Sequence, residues 1–162
     1  MTKPITVLLA DDHALVRRGF RRLLEDDAEI KVVGEASTGE EAIRLADELK
    51  PQVIVMDAAM PGTTGLVAAP QILQRQPATR ILMLSMHSEQ TLVRQALAAG
   101  ACGYILKNAL DLDLAAAVKR IAAGETVLDP AIVKSPALPG ERNRRLTPRE
   151  LEVLQLICDG LS

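Results

Sequence analysis

Asp11, Asp12, Asp57, Ser85 and Lys107 each stand at the end of a short aliphatic run. Val7-Leu8-Leu9-Ala10 leads into Asp11-Asp12, Val53-Ile54-Val55-Met56 into Asp57, Ile81-Leu82-Met83-Leu84 into Ser85, and Tyr104-Ile105-Leu106 into Lys107. Three carboxylates, a hydroxyl and an ammonium are the groups a metal-assisted phosphoryl site requires. One carboxylate acts as nucleophile, others hold Mg2+ through hard oxygens, and the remaining donors meet the phosphoryl oxygens. The carbonyl of Ala59, two residues past Asp57, is a further candidate ligand for the ion. Singly, each residue has a plainer reading: Asp12 as a helix cap, Ser85 as a cap of the next helix, Lys107 as a solvated loop lysine. Their joint occurrence, in order, at four successive run ends favours the site.

Aliphatic runs flanked by helical periodicity are expected to be parallel strands buried on both faces. An open parallel sheet binds ligands beyond the carboxyl ends of its strands, where the strand order reverses, which is where these residues would meet. After the first run, Val16, Phe20, Leu23 and Leu24 define one helical face, with the arginines between 17 and 22 mostly opposite. A second strand over 31–36 is the least apolar and is expected at an edge. Ser37-Thr38-Gly39-Glu40-Glu41 offers a capping box to a helix carrying Ala42, Leu45, Ala46 and Leu49, and Pro51 stops it. The Pro61-Gly62 turn opens a helix expected over about 64–76, which Pro70 should kink or shorten. Two more helices are expected, one from Ser88 closing at Gly100 and one from about Leu110 closing at Gly124. Five strand–helix units of this size predict a doubly wound α/β sandwich.

Composition narrows the function classes. The 162 residues are 48% hydrophobic, enough for a core, and carry a net charge of −2, so no bulk field selects nucleic acid or an anionic membrane. Phe20 and Tyr104 are the only aromatic residues, which removes the ring platform on which single-stranded nucleic acids stack. Cys102 and Cys158 have no metal-ligand spacing and read most simply as free thiols, the alternative being a single bridge between them. Met1 leads directly into a strand, and no run reaches membrane-spanning length, so a cytoplasmic location and no membrane partner are expected.

Residues 4–124 resemble the receiver domain of two-component response regulators. The motifs carrying the resemblance are Leu9-Ala10-Asp11-Asp12-His13, Val55-Met56-Asp57-Ala58-Ala59-Met60-Pro61-Gly62, Leu84-Ser85 and Gly103-Tyr104-Ile105-Leu106-Lys107. The resemblance implies a flavodoxin-like fold with strand order 2-1-3-4-5 and phosphorylation of Asp57 by a partner sensor histidine kinase. It also implies Mg2+ on Asp11, Asp12 and Asp57, with Ser85 as the switch hydroxyl and Tyr104 as the switch aromatic, whose ring turns inward on activation. His13 and His87 lie near the expected phosphate and read most simply as surface loop residues. Ala68, Ala69 and Pro70 depart from the more polar third helix of such proteins.

Beyond a receiver at 1–124, residues 125–146 lose periodicity at Pro130, Pro136, Pro139 and Gly140 and read as a linker. Thr147, Pro148 and Glu150 then cap a new helix over 147–160, striped by Leu151, Leu154 and Ile157. Leu146 to Leu154 resembles the opening of the LuxR-type helix-turn-helix of NarL/FixJ-type transcription regulators. The segment 147–162 then corresponds to that module's first helix, and its DNA-reading recognition helix is not among these residues. The expected function is a transcriptional response regulator that forms a homodimer through the receiver when phosphorylated and binds DNA only in a longer form. The alternative is a receiver-only signalling or dimerisation module. An enzyme acting on external phosphoesters is disfavoured, because Ala59 supplies no general acid.

Overall fold

The computed structural model describes residues 3–86, 89–107 and 113–128. Five helices alternate with strands in the order β1 (Ile5–Ala10), α1 (Ala14–Glu25), β2 (Ile30–Ala36), α2 (Gly39–Leu49), β3 (Val53–Asp57), α3 (Gly65–Arg75), β4 (Arg80–Ser85), α4 (Gln90–Ala98), β5 (Gly103–Leu106), α5 (Leu114–Ala122) and β6 (Val127–Leu128). All strands are parallel, in the order β2-β1-β3-β4-β5-β6. Both faces of the sheet are covered, as the continuous apolar strands require. Leu8, Ala10, Ile54, Met56, Ile81, Met83 and Tyr104 pack under α2, α3 and α4. Val7, Leu9, Val53, Val55, Leu82, Leu84 and Ile105 pack under α1 and α5. The period-two alternation along each strand thus divides its side chains between two cores.

The expected order 2-1-3-4-5 is observed, with β2 at one edge. The other edge is not β5. Val127 and Leu128 add a sixth strand against Gly103 and Tyr104, so the sheet extends past residue 124 into the segment expected to be linker. The linker from 129 onward and the helix at 147–160 lie outside the described residues.

Helix boundaries follow local capping. Thr38 caps α2 by accepting from the Glu41 N–H, and Glu41 in turn accepts from the Ser37 N–H. Lys50 closes α2 in the left-handed region (φ 47°) just before Pro51. Pro70 does not shorten α3: an exposed residue inside Gly65–Arg75, it forgoes one helical hydrogen bond and the helix still runs to Arg75. α4 begins at Gln90 rather than Ser88, and α5 at Leu114 rather than Leu110, because Asp113 accepts from the Ala116 N–H and takes the N-cap. On α1, Leu24 is buried but Leu23 is 48% exposed, so the inward face is narrower than the apolar pattern implied.

An ion cluster ties α1 to β2. Arg17 Nε donates to Glu35 Oε1 at 2.8 Å, and the Arg21 guanidinium bonds the other Glu35 oxygen. Burial works against ionisation of Glu35, but the hydrogen bonds from Arg21 and Arg17 outweigh it and hold the carboxyl below its ordinary value of 4.5. Its stabilising contribution is therefore complete above pH 4.5 and disappears as pH falls through the lowered folded-state value. Glu35→Gln is expected to destabilise the domain by about 1 kcal/mol at neutral pH. In urea melts at successively lower pH, the gap between this variant and the wild type closes below the ordinary glutamate range.

Candidate functional site

Register places the polar run ends side by side. Ala10 pairs with Met56, Asp57 with Leu84, and Ser85 with Leu106, so Asp11, Asp57, Ser85 and Lys107 emerge along one edge of β1, β3, β4 and β5. The chain passes from β1 outward to β2 and then back across to β3, so the β1/β3 boundary is the reversal point of the sheet.

Main-chain bonds continue the sheet just past its end. The Asp11 N–H donates to Ala36 O, Ala58 N–H to Leu84 O, and Lys107 N–H to Ser85 O. Lys107 Nζ then lies 2.7 Å from Asp11 Oδ2 and 3.0 Å from Asp57 Oδ2. The other Asp57 oxygen accepts from the Ala59 N–H at 2.9 Å, and Asp11 Oδ1 accepts from the His13 N–H at 2.9 Å. Asp12 does not cap α1; His13 occupies that position, and its side chain makes no cap hydrogen bond. The plain reading of Lys107 as a solvated lysine fails as well, since its side chain is only 8% exposed.

Burial pushes the Asp57 carboxyl above the ordinary aspartate range, against the opposing pull of the Ala59 N–H and Lys107. Burial also disfavours the Lys107 ammonium, but its ion pairs with Asp11 and Asp57 win, and its pKa is raised. Three formal negative charges thus face one positive charge, an imbalance that favours a bound cation. The donors fit Mg2+: Asp11, Asp12 and Asp57 each offer a hard oxygen, and with His13 these ligand atoms lie within 4.8 Å of one another. Asp12 Oδ1 is buried with no hydrogen-bond partner, an oxygen whose desolvation a cation would offset.

Ser85 is 3% exposed and Tyr104 fully buried, and their side chains are hydrogen-bonded. The aromatic ring expected to turn inward on activation is already inside the core in this structure. His87 lies outside the described residues.

Three contributors escaped the sequence. The Arg17 guanidinium donates to the main-chain carbonyl of Asp11 as well as to Glu35, holding the acidic pair from behind. Glu40, on the first turn of α2, accepts from both the N–H and the hydroxyl of Thr63 and so grips the loop that follows Asp57. Gly65 lets α3 start against that loop, since a Cβ there would lie 2.3 Å from the Asp57 carbonyl. No local pattern marks Arg17 or Glu40 among many exposed charges. A glycine at the first position of a helix was the one available hint.

Residues 7–119 match the family model for the response regulator receiver domain, and the chain belongs to that family. Receiver domains are signalling modules rather than ordinary enzymes. The chain is 40% identical over 167 residues to the nitrate/nitrite response regulator NarL of Escherichia coli, covering 98% of this chain and 77% of that one. It is 41% identical over 167 residues to the response regulator VraR of Staphylococcus aureus, covering 98% and 78% respectively. Among solved structures it is similar to a LuxR-family two-component response regulator from an Aurantimonas species (TM-score 0.78, 38% identity, 82% of this chain and 94% of that chain). Among the described residues, no helix is long and apolar enough to cross a membrane.

Two measurements check this geometry. Burial raises the Tyr104 pKa against the opposing bond from Ser85, so the phenolate is disfavoured in the fold. Because Tyr104 is the sole tyrosine, an ultraviolet absorbance titration reports it alone, and its midpoint is expected above the ordinary value of 10.0 in the native protein. A midpoint at 10.0 would mean that the ring is solvated. Separately, Gly65→Ala is expected to lower stability by about 2–4 kcal/mol, since backbone rather than a flexible side chain must move to admit the methyl group. Thermal melts of this variant give the direct reading.

Proposed function

We propose that this protein is a phosphorylation-switched transcriptional regulator whose receiver accepts a phosphoryl group on Asp57 from a sensor histidine kinase. The observation carrying the reading is the bridging of Asp11 and Asp57 by Lys107 at 2.7 and 3.0 Å on the sheet edge where the strand order reverses. A carboxylate oxygen of Asp57 attacks the phosphorus of a phosphohistidine. The phosphorus–nitrogen bond breaks as the acyl phosphate forms, and the departing imidazole retains its electron pair and takes a proton. The Ala59 N–H and Lys107 favour the ionised carboxylate needed for attack, opposing the effect of burial.

Asp11, Asp12 and Asp57, with the Ala59 carbonyl, are the groups that would hold Mg2+. When bound, the ion would supply neutralisation of the phosphoryl oxygens. Lys107 offers its ammonium to an oxygen of the transferred group, and Ser85 offers its hydroxyl to another. A Ser85 hydroxyl drawn to the phosphoryl group leaves Tyr104, and that exchange of partners is the switch. Ala59 has no polar side chain to orient an attacking water, which favours slow hydrolysis of the acyl phosphate.

The similarity to the response regulators NarL and VraR, with the helix-turn-helix-like opening at Leu146 to Leu154, supports a regulatory role; the reading is completed by a cytoplasmic location, a receiver-mediated homodimer on phosphorylation and DNA binding through a complete helix-turn-helix. Asp57→Asn tests the assignment. The variant is expected to fold, to lose labelling by acetyl phosphate or a phosphorylated kinase, and to lose any phosphate-dependent dimer in sedimentation. Retained stoichiometric labelling in this variant would place the acceptor elsewhere.

A further inference from the structure

His13 belongs to the acidic pocket by position, yet the phosphoryl chemistry gives it no role. It occupies the N-cap of α1 with φ −93° and ψ 106°, and its own N–H is tied to Asp11 Oδ1 at 2.9 Å. Its imidazole is 67% exposed, but it folds back over the carboxylates: Nδ1 lies 3.2 Å from Asp12 Oδ1 and 3.5 Å from Asp11 Oδ1.

The contact with Asp12 is close enough for a hydrogen bond but lacks the alignment of one, since Asp12 Oδ1 is buried without a hydrogen-bond partner. The spacing has another meaning. Two donors each about 2.1 Å from one ion, and at right angles to each other, lie about 3 Å apart. Nδ1 and Oδ1 have that separation, and the ligand atoms of Asp11, Asp12, His13 and Asp57 fall within 4.8 Å of one another.

An all-oxygen pocket suits Mg2+, whereas an imidazole nitrogen adds affinity for first-row transition ions and little for Mg2+. Resting on the phosphoryl-site reading above, we propose that His13 is a nitrogen ligand of this cation site, giving the pocket a higher affinity for a transition divalent ion such as Co2+ than its carboxylates alone would give. His13 thereby sets which metal accompanies phosphorylation, and Mg2+ remains bound through oxygens.

Co2+ is the natural probe, because its visible absorption reports nitrogen ligation directly. The full chain, stripped of metal, is titrated with Co2+ and separately with Mg2+, alongside His13→Asn and His87→Asn; these are the two histidines of the chain. Asparagine suits a helix N-cap, so His13→Asn is expected to keep the fold, as circular dichroism checks. The expected result is a Co2+ dissociation constant raised about tenfold in His13→Asn with an altered spectrum, an unchanged Mg2+ constant, and wild-type behaviour in His87→Asn. Equal Co2+ affinity and spectrum in wild type and His13→Asn overturns the inference while Mg2+ binding still upholds the site. Loss in His87→Asn instead also overturns it. A wild-type chain that binds neither ion removes the phosphoryl-site reading and this inference together.

Discussion

A single ammonium held between two buried carboxylates organises this domain's functional edge. Lys107 closes on Asp11 and Asp57 across three strand ends, and each partner is anchored by main-chain bonds that extend the sheet. Without the lysine, Asp11 and Asp57 would be like charges at close range in a site that excludes water, which is unfavourable for folding and for a second anion. With it, the pocket keeps a net negative charge that favours a cation, and one positive group stands among its carboxylates. The arrangement is poised because it is incompletely compensated.

Supporting contacts divide the work between two loops. Arg17 holds the acidic loop after β1 through the Asp11 carbonyl and is itself held by Glu35. Glu40 grips Thr63 in the loop after β3, where Gly39 allows close approach: a Cβ there would lie 2.1 Å from the Thr63 carbonyl. Hydrogen bonds from Thr63 hold the Glu40 carboxyl below its usual range. Both braces come from neighbouring elements rather than from the loops themselves. The site is therefore braced on its α1 and α2 sides, while Ser85 and Tyr104 form a separate, neutral pair on the β4–β5 side.

What the sequence made legible, and what it hid, divides along physical lines. Continuous apolar strands ending in polar residues announce a parallel sheet and its ligand edge, so Asp11, Asp57, Ser85 and Lys107 were readable in place. The edge position of β2 followed from its mixed composition. Apolar spacing sets a stripe but not its width, so Leu23 fits the pattern and still lies largely in solvent. The start of α5 depended on which of several polar residues capped it, a choice made by Asp113. Arg17 and Glu40 were hidden because a bracing charge resembles any solvated charge until a strand or loop from elsewhere in the chain is laid beside it. The sixth strand was invisible for a simpler reason: two residues carry no period.

That short strand has an architectural consequence. Val127 donates to the Cys102 carbonyl, and Leu128 stands in register with Tyr104. The backbone leaving the receiver is thus stitched to the very ribbon that bears the buried tyrosine and, a few positions on, the site lysine. Trimming the protein after Gly124 would strip hydrogen-bonding partners from that ribbon and expose Val127's seat over the α5 core. The folded sheet therefore runs to at least Leu128, where the described residues end in register with Tyr104.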